Sequence, residues 1–304
     1  AGCLSERYMI DLRKEMPDVD AYFGTEDYEG IVNDFGGKFS YDLLGERLVT
    51  TPKHYAYLKI SEGCDNPCSF CAIPLMRGGH VSKPMDMLLD EASRLADKGV
   101  KELIIIGQDT TDYGKDISGK RNLSELLERL SNLKGIEWIR LLYAYPSHFP
   151  DDVITTLANN PKVLKYVDMP LQHISDNVLK SMRRGITKRR TQELLYKLKE
   201  QVTGITLRTT FISGYPAETE KDFLELCDFV KDIQFDRFGV FNYSVEENTP
   251  SYILSDPISA DEKEARRAEL MKIQSEISLE KNRSFVGKTM NCIVDDIEND
   301  FYIA

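Results

Sequence analysis

The sequence predicts an α/β fold, a partial (β/α)6 barrel of the TIM-like kind, and two patterns support this prediction. Short apolar runs typical of buried strands alternate six times with segments whose apolar residues recur at helical spacing. Polar residues follow directly after these runs, where the loops of a parallel barrel converge over its core. Strands that alternate with helices pair in parallel through right-handed crossovers, so six such units imply a barrel or part of one.

Six barrel strands are predicted in order along the chain. The second is typical, because Glu102–Ile106 contains three consecutive isoleucines, as expected of a strand buried on both faces. The helix before it follows Pro84 and stops at Gly99, where a left-handed cap is expected. The predicted strands are 55–60, 102–106, 138–143, 163–169, 206–212 and 237–243.

Capping signals and apolar spacing predict the helices. Thr219 with Asp222, and Ser259 with Glu262, resemble capping boxes at helix starts. The second of these begins a long charged helix that runs to about Asn282 with one apolar stripe. The other predicted helices are 122–133, 151–158, 175–182 and 191–201.

Both ends of the chain are predicted to lie outside the barrel. Residues 1–52 begin with a short helix that ends at Pro17 and continue as a turn-rich linker over 25–52. The barrel is expected at 53–256, a connecting helix at 257–286 and the beginning of a β module at 287–304. The abrupt start and the unfinished module are expected of a fragment of a longer chain.

Composition limits the class of protein. The chain has 304 residues, 39 basic and 50 acidic, and its net charge of −11 disfavours extended contact with phosphate backbones. No run approaches 18 apolar residues and no signal pattern opens the chain, so we expect a soluble, cytoplasmic protein with no membrane partner. Six cysteines in a chain of this length do not form a disulfide framework.

Three cysteines form the strongest motif in the sequence. Cys64, Cys68 and Cys71 are spaced C-x3-C-x2-C, and no fourth cysteine lies close enough in sequence to complete a tetrahedral zinc site. Thiolates this close together suit an iron–sulfur cluster, and three of them on a cubane leave one iron free to bind substrate. A structural metal knuckle or a group of reduced thiols is the alternative.

This loop resembles the signature of the radical S-adenosylmethionine (SAM) superfamily, C-x3-C-x-aromatic-C after a short strand. The resemblance implies that the open iron of a 4Fe-4S cluster chelates the amino and carboxylate groups of SAM, and that Phe70 lies near the adenine. It also implies that Gly107 lets the backbone approach the methionyl part of SAM, although a glycine at a strand end often marks only a turn.

Other polar residues are expected at the mouth of the barrel. Gln108, Gln172 and His173 follow predicted strands, so we expect them at the barrel mouth; the alternative for His173 is a hydrogen bond to a loop carbonyl. Arg208 lies on the fifth strand and needs a partner there, either the SAM carboxylate or Glu62. Asp168 ends the fourth strand and could instead cap the next helix. The chain also has one basic run, which predicts a solvated helix face or a docking site for an acidic segment or nucleic acid: Lys180, Arg183, Arg184, Lys188, Arg189 and Arg190.

Four segments together resemble the methylthiotransferase family over nearly the whole of residues 1–304. They are YAYLKISEGCDNPCSFCAIPLMRG, IIIGQDTTDYG, DMPLQHISDNVLKSMRRG and TTFISGYPAET. LKISEGC and PLMRG look most like the branch that modifies an aspartate of a small-subunit ribosomal protein, the S-twelve protein. The tRNA-modifying branch is the nearest competitor.

The family resemblance implies a reaction and its partners. An external electron donor reduces the cluster, SAM is cleaved to a 5′-deoxyadenosyl radical, and the radical removes hydrogen from the β-carbon of the target aspartate. A second 4Fe-4S cluster in an N-terminal domain supplies the methylthio group, and Cys3 in GCLSERY matches one of its three ligands. A C-terminal TRAM module holds the substrate, a ribosomal protein or the assembled subunit. The alternatives are tRNA modification, which the charge of −11 disfavours, and a non-catalytic metal or iron–sulfur scaffold.

Overall fold

The computed structural model describes residues 1–40, 48–299 and 301–303. Its strands comprise one large parallel sheet and two short antiparallel pairs. In chain order the strands are β1 Tyr55–Lys59, β2 Ser61–Glu62, β3 Val81–Ser82, β4 Glu102–Ile106, β5 Trp138–Leu141, β6 Val163–Asp168, β7 Thr206–Ser213, β8 Arg237–Asn242, β9 Asp296–Glu298 and β10 Phe301–Ile303.

The six predicted barrel strands are present and parallel. Their order in the sheet is β1-β4-β5-β6-β7-β8, so strands that follow one another in the barrel are neighbours. The register runs from Tyr55 opposite Glu102 at one edge to Ser213 opposite Asn242 at the other. Because β1 and β8 are the edges of this sheet, the fold is a partial barrel, as the sequence predicts.

Helices separate the parallel strands and cover the outer face of the sheet. In chain order they are α1 Cys3–Glu15, α2 Tyr28–Asp34, α3 Ile73–Arg77, α4 Met85–Asp97, α5 Lys115–Ser118, α6 Leu123–Ser131, α7 Asp151–Asn159, α8 Asp176–Ser181, α9 Lys188–Gln201, α10 Glu220–Ile233 and α11 Ala260–Phe285. No helix within the described ranges has the length and apolar character needed to cross a bilayer.

The two predicted capping boxes differ in the structure. At α10 the box is complete, since the Thr219 hydroxyl accepts from the Asp222 backbone N–H and the Asp222 carboxylate accepts from the Thr219 backbone. Burial alone would raise the pKa of Asp222, but hydrogen bonds from neighbouring hydroxyl, amide and backbone groups outweigh it and hold the pKa at about 2. At α11 Ser259 caps the helix, whereas the Glu262 carboxylate accepts from Arg266 Nε at 2.8 Å.

The hydrophobic core lies between the sheet and the helices. Phe211 on β7 makes edge-to-face contacts with three other phenylalanine rings, with centroid distances from 5.4 to 6.4 Å. The predicted stripe on α11 is confirmed, because Leu270, Ile273 and Ile277 are buried. With this face α11 packs against β8 and α10, so the last helix adds to the core at the edge of the barrel.

Several elements differ from the prediction. The predicted linker contains α2, which Asp27 caps by accepting from the Gly30 N–H at 3.0 Å, and residues 41–47 of that linker lie outside the described residues. Helix α9 begins at Lys188 rather than at Thr191, because the Thr187 side chain caps it. The short pair β2 and β3 and the helix α3 were not predicted, because two-residue strands and five-residue helices carry little periodicity.

Candidate active site

The three cysteines of the motif line one cavity at the carboxyl ends of the strands. The cavity has about 590 Å³ of empty space when its open mouth is counted. Gly63 turns the chain into the cysteine loop with φ of 72°, a conformation that favours glycine. A Cβ on Gly63 would lie 2.0 Å from the carbonyl oxygen of Gly79, so the turn leaves no room for a side chain at this position.

Polar groups of the cavity wall contact two of the cysteine sulfurs. Asn66 Nδ2 donates to Cys64 Sγ at 3.2 Å and to Asp109 Oδ2 at 2.7 Å. Arg184 donates to Cys68 Sγ at 3.1 Å. Burial raises the pKa of the Cys64 thiol to about 11 and also raises the pKa of Cys71, because a buried thiolate loses hydration.

The thiols do not converge on one point. Among residues 1–40, 48–299 and 301–303, no three His, Cys, Asp or Glu side chains are grouped closely enough to hold a single metal ion. Cys64, Cys68 and Cys71 nevertheless all line this one cavity.

Two glutamines bring acceptors without partners into the same cavity. Gln108 Nε2 donates to Glu62 Oε1 at 2.8 Å, which leaves its buried Oε1 without a hydrogen bond. The side-chain Oε1 of Gln172 is also buried and unpaired. Gln172 has φ of 72°, and its backbone is fixed by hydrogen bonds with Thr210 and Ile212 of β7. Buried acceptors are nearly always paired, so a molecule in this cavity that donates hydrogen bonds would satisfy both.

Phe70 and Gly107 occupy different positions relative to this cavity. The Phe70 ring lines the cavity and packs against a small buried cluster that includes Met182 and Tyr215. Gly107 is not among the cavity-lining residues, and a Cβ there would lie 2.6 Å from the Ser61 hydroxyl oxygen. The Ser61 side chain therefore gives this glycine a packing role, and its predicted approach to SAM stays a prediction.

Arg208 lies outside the cavity wall. Its guanidinium is 3.6 Å from Asp168 Oδ1, and its side chain is 44% exposed. The predicted alternative partner, Glu62, is wrong, because that carboxylate already contacts Lys59, Arg77 and Gln108. Contact between Arg208 and SAM stays a prediction.

The alternatives for Asp168 and His173 are wrong. Asp168 accepts from the Tyr143 N–H at 3.3 Å instead of capping a helix, and burial raises its pKa although Arg208 opposes the shift. His173 lies fully buried behind the site. Its Nδ1 accepts from the Ser175 N–H at 3.0 Å and its Nε2 lies 3.2 Å from Glu218 Oε2, so its contacts are with an internal network.

Cys3 lies at the start of α1 and is not among the residues that line the cavity. Its sulfur accepts from Arg77 Nε at 3.2 Å, and Arg77 ends the short helix that follows the cysteine loop. Arg7 of α1 also bonds to Glu246 and to the Glu247 carbonyl beyond β8. Helix α1 is therefore attached beside the site at two places, and the role of Cys3 as a ligand stays a prediction.

Two residues beside Cys68 differ in how far the sequence placed them: Arg184 received no role in the site, whereas Tyr145 was expected only as part of the rim segment 143–145. Arg184 was assigned only to the basic run, yet it is 4% exposed and contacts Cys68. Tyr145 lines the cavity near the same sulfur, with its hydroxyl 3.7 Å from Cys68 Sγ. Its place just beyond β5 was the one available signal, because polar residues there face the mouth of a barrel.

A groove opens beside the cavity. Phe70, Tyr143, Pro170 and Gln172 belong to both walls, so the two spaces are continuous. The rest of the groove comes from β7, β8 and the segment after β8: Thr210, Ile212, Phe241, Asn242, Tyr243, Ser244 and Glu246.

Comparison with known proteins places the chain in a family. Residues 58–230 match the model of the radical SAM superfamily. The ribosomal protein uS12 methylthiotransferase RimO of Flavobacterium johnsoniae is 55% identical over 303 residues, which is 100% of this chain and 69% of that protein. The RimO proteins of Christiangramia forsetii and Bacteroides fragilis are 54% and 50% identical over 100% of this chain and over 67% and 70% of their own lengths.

Solved structures agree on the fold. The radical SAM methyltransferase TsrM of Kitasatospora setae aligns with a TM-score of 0.56 and 18% identity, over 68% of this chain and 42% of that chain. Coproporphyrinogen III oxidase, HemN, of Escherichia coli aligns with a TM-score of 0.53 and 20% identity, over 82% of this chain and 58% of its own. The chain belongs to the radical SAM superfamily and, within it, to the family of the ribosomal protein uS12 methylthiotransferase RimO.

Proposed function

We propose that this chain carries out the SAM-dependent radical chemistry by which ribosomal protein uS12 is methylthiolated. The observation that carries the proposal is the composition of one cavity wall. Three cysteine sulfurs, two unpaired amide carbonyls and a buried guanidinium face the same space. This is the donor set that a cluster and a zwitterionic amino-acid cofactor require.

Cys64, Cys68 and Cys71 are proposed to hold a 4Fe-4S cluster. The fit rests on the chemistry of the ligands, since three cysteines line the cavity and no fourth cysteine among the described residues does. A cubane presents a separate iron to each thiolate, whereas zinc needs its ligands around one ion. When bound, the cluster supplies the electron that cleaves the sulfonium of SAM. The protein must release the thiol protons to bind it, because the ligands are thiolates.

Gln108 and Gln172 are proposed to hold the amino-acid part of SAM. Each offers a buried carbonyl oxygen with no hydrogen bond, and an amino group of SAM that gave its lone pair to iron would keep two N–H donors for them. Glu62 fixes the Gln108 amide from behind, and two backbone hydrogen bonds fix Gln172. Phe70 gives an apolar wall for the adenine. Arg208 would have to leave Asp168 to reach SAM, so we propose that it contributes less to SAM binding than the two glutamines.

The groove beside the cavity is proposed to receive the aspartate-bearing segment of uS12. It shares Phe70 and Gln172 with the cavity, so a peptide in the groove can extend one side chain to the cofactor. Ribosomal proteins contact RNA phosphates and therefore carry basic residues. The net charge of −11 on this chain complements such a partner and disfavours tRNA.

We also propose a cellular location, an electron source and domain boundaries for the chain. Its substrate belongs to the ribosome, so the proposed location is the cytoplasm, and an external donor supplies one electron for each SAM cleavage. The parallel sheet spans residues 55–242 and supports a barrel domain at 53–256. Residues 1–52, 257–286 and 287–304 are proposed as the end of a cluster-binding domain, a connecting helix and the beginning of a TRAM module.

The test is hydrogen transfer from a labelled peptide. The chain is reconstituted anaerobically with iron and sulfide, reduced, and given SAM with a uS12 peptide deuterated at the aspartate β-carbon. We expect deuterium in 5′-deoxyadenosine by mass spectrometry, and no product from Cys68→Ala. SAM cleavage with deuterium taken only from a labelled tRNA anticodon stem would favour the tRNA branch, and a loaded protein that leaves SAM intact would favour the scaffold.

A further inference from the structure

Arg184 is a buried cation in the wall of the cavity. The residue is 4% exposed, although it belongs to a run of six basic residues. One terminal nitrogen donates to Cys68 Sγ at 3.1 Å, and the other donates to the Pro170 carbonyl oxygen at 2.5 Å. Its Nε is buried without a hydrogen-bond partner. The guanidinium is therefore oriented toward a sulfur and away from solvent.

The charge of Arg184 lacks a carboxylate partner among the described residues. Others in the same run have one, since Lys188 pairs with Glu225 and Arg189 pairs with Glu193. A buried cation is costly unless a negative charge lies beside it. Cys68 provides that charge when its sulfur is a thiolate, so the contact matches the ionised ligand of a cluster.

Tyr145 fixes Arg184 in this position. Its ring lies 4.3 Å from the guanidinium carbon, within the range of cation–π attraction. Its hydroxyl donates to the Arg184 carbonyl oxygen at 2.7 Å. The side chain and the backbone of Arg184 are thus both held by one tyrosine, which keeps the guanidinium at the sulfur.

We propose that Arg184 is a positioning residue that raises the reduction potential of the cluster held by Cys68. The proposal rests on the proposed function, because it needs a cluster on this cysteine. Reduction adds one electron, from the external donor, to the cluster. A fixed positive charge and an N–H···S hydrogen bond stabilise the reduced cluster more than the oxidised one, and such contacts are known to set cluster potentials.

The test is a redox titration of the reconstituted protein, followed by electron paramagnetic resonance of the reduced cluster. For Arg184→Gln we expect the equilibrium constant for reduction to fall at least tenfold, which is about 59 mV for one electron. Arg184→Lys keeps the positive charge but loses the planar guanidinium. Its midpoint potential should lie between those of Arg184→Gln and the wild type. Arg189→Gln is the matched control, because it removes an exposed charge from the same run, and its potential should equal the wild type.

A wild-type midpoint in Arg184→Gln would overturn the proposal. If that variant holds no cluster, ¹⁵N-labelled arginine in the wild-type protein decides instead. We expect a ¹⁵N hyperfine coupling to the reduced cluster that Arg184→Lys abolishes, and a wild type without this coupling overturns the proposal. SAM cleavage is measured on the same wild-type samples. A cluster that does not cleave SAM refutes the proposed function separately, and a wild type that binds no cluster refutes both.

Discussion

Replacing Gly63 by alanine should damage the cysteine loop through two separate costs. The first is backbone strain, because φ of 72° costs an L-residue about 1–2 kcal/mol. The second is steric, because the new Cβ would lie 2.0 Å from the Gly79 carbonyl oxygen and 2.7 Å from the Gly78 carbonyl oxygen. Overpacking of this kind costs about 1–3 kcal/mol, so we expect Gly63→Ala to lower the free energy of unfolding by about 2–5 kcal/mol.

Gly204 provides the matched control for the strain alone. It has φ of 78°, and a Cβ there would meet nothing within 4 Å. Gly204→Ala should therefore cost only about 1–2 kcal/mol. The assay is urea unfolding of both iron-free variants, followed by circular dichroism, so that a bound cluster adds nothing to stability.

Iron binding gives a second measurement for the same pair. Cys64 N donates to the Gly78 carbonyl oxygen at 3.2 Å, so displacement of that carbonyl moves the first cysteine of the motif. Gly63→Ala should bind less iron after reconstitution, and Gly204→Ala should bind as much as the wild type. Equal unfolding free energies for the two variants, with equal iron contents, would refute the steric argument.

Three further predictions concern the cofactor pocket, a helix cap and the core. Gln172→Ala removes an unpaired acceptor from the cavity, so SAM affinity of the reconstituted protein should fall roughly 10- to 100-fold by equilibrium dialysis, while exposed Gln201→Ala leaves it unchanged. Asp222→Asn should lower the free energy of unfolding by about 1–2 kcal/mol at pH 7. Because the folded pKa of Asp222 is depressed to about 2, its contribution to stability is present above the unfolded pKa and is lost as pH falls from about 4 to about 2. If urea titrations gave the same difference in unfolding free energy between Asp222→Asn and the wild type at about pH 4 and at about pH 2, the assignment would be contradicted. Phe211→Ala should cost about 3–5 kcal/mol in the same unfolding assay, since its ring is fully buried among three others, and a cost below 1 kcal/mol would show that the core collapses onto the cavity.

The parts of the fold that depend on local pattern could be predicted from the sequence. Strand 102–106 was found because three isoleucines in a row between a glycine and a polar turn suit a parallel strand. The complete capping box of Thr219 and Asp222 was found because its two partners are three residues apart. The cysteine cavity was found for the same reason, since its sulfurs come from one short loop.

The parts that depend on distant partners could not be predicted. His173 was expected at the barrel mouth, but its partner Glu218 lies 45 residues away and draws it into the interior. Arg184 looked like its neighbours in a charged run. Arg183 beside it has φ of 55° and is exposed, whereas Arg184 is buried. Neither this backbone conformation nor the sulfur that Arg184 contacts leaves a periodic signal in the sequence.

A line of side chains joins Cys3 on α1 to the wall of the cavity. Arg77 bridges Cys3 Sγ and Glu62 Oε1, at 3.2 and 3.4 Å, and the same oxygen accepts from Gln108 Nε2. We expect these contacts to couple a small molecule bound at Gln108 to the position of α1. By thermodynamic reciprocity, any effect of that binding on the stability of α1 must equal the effect of α1 on the binding.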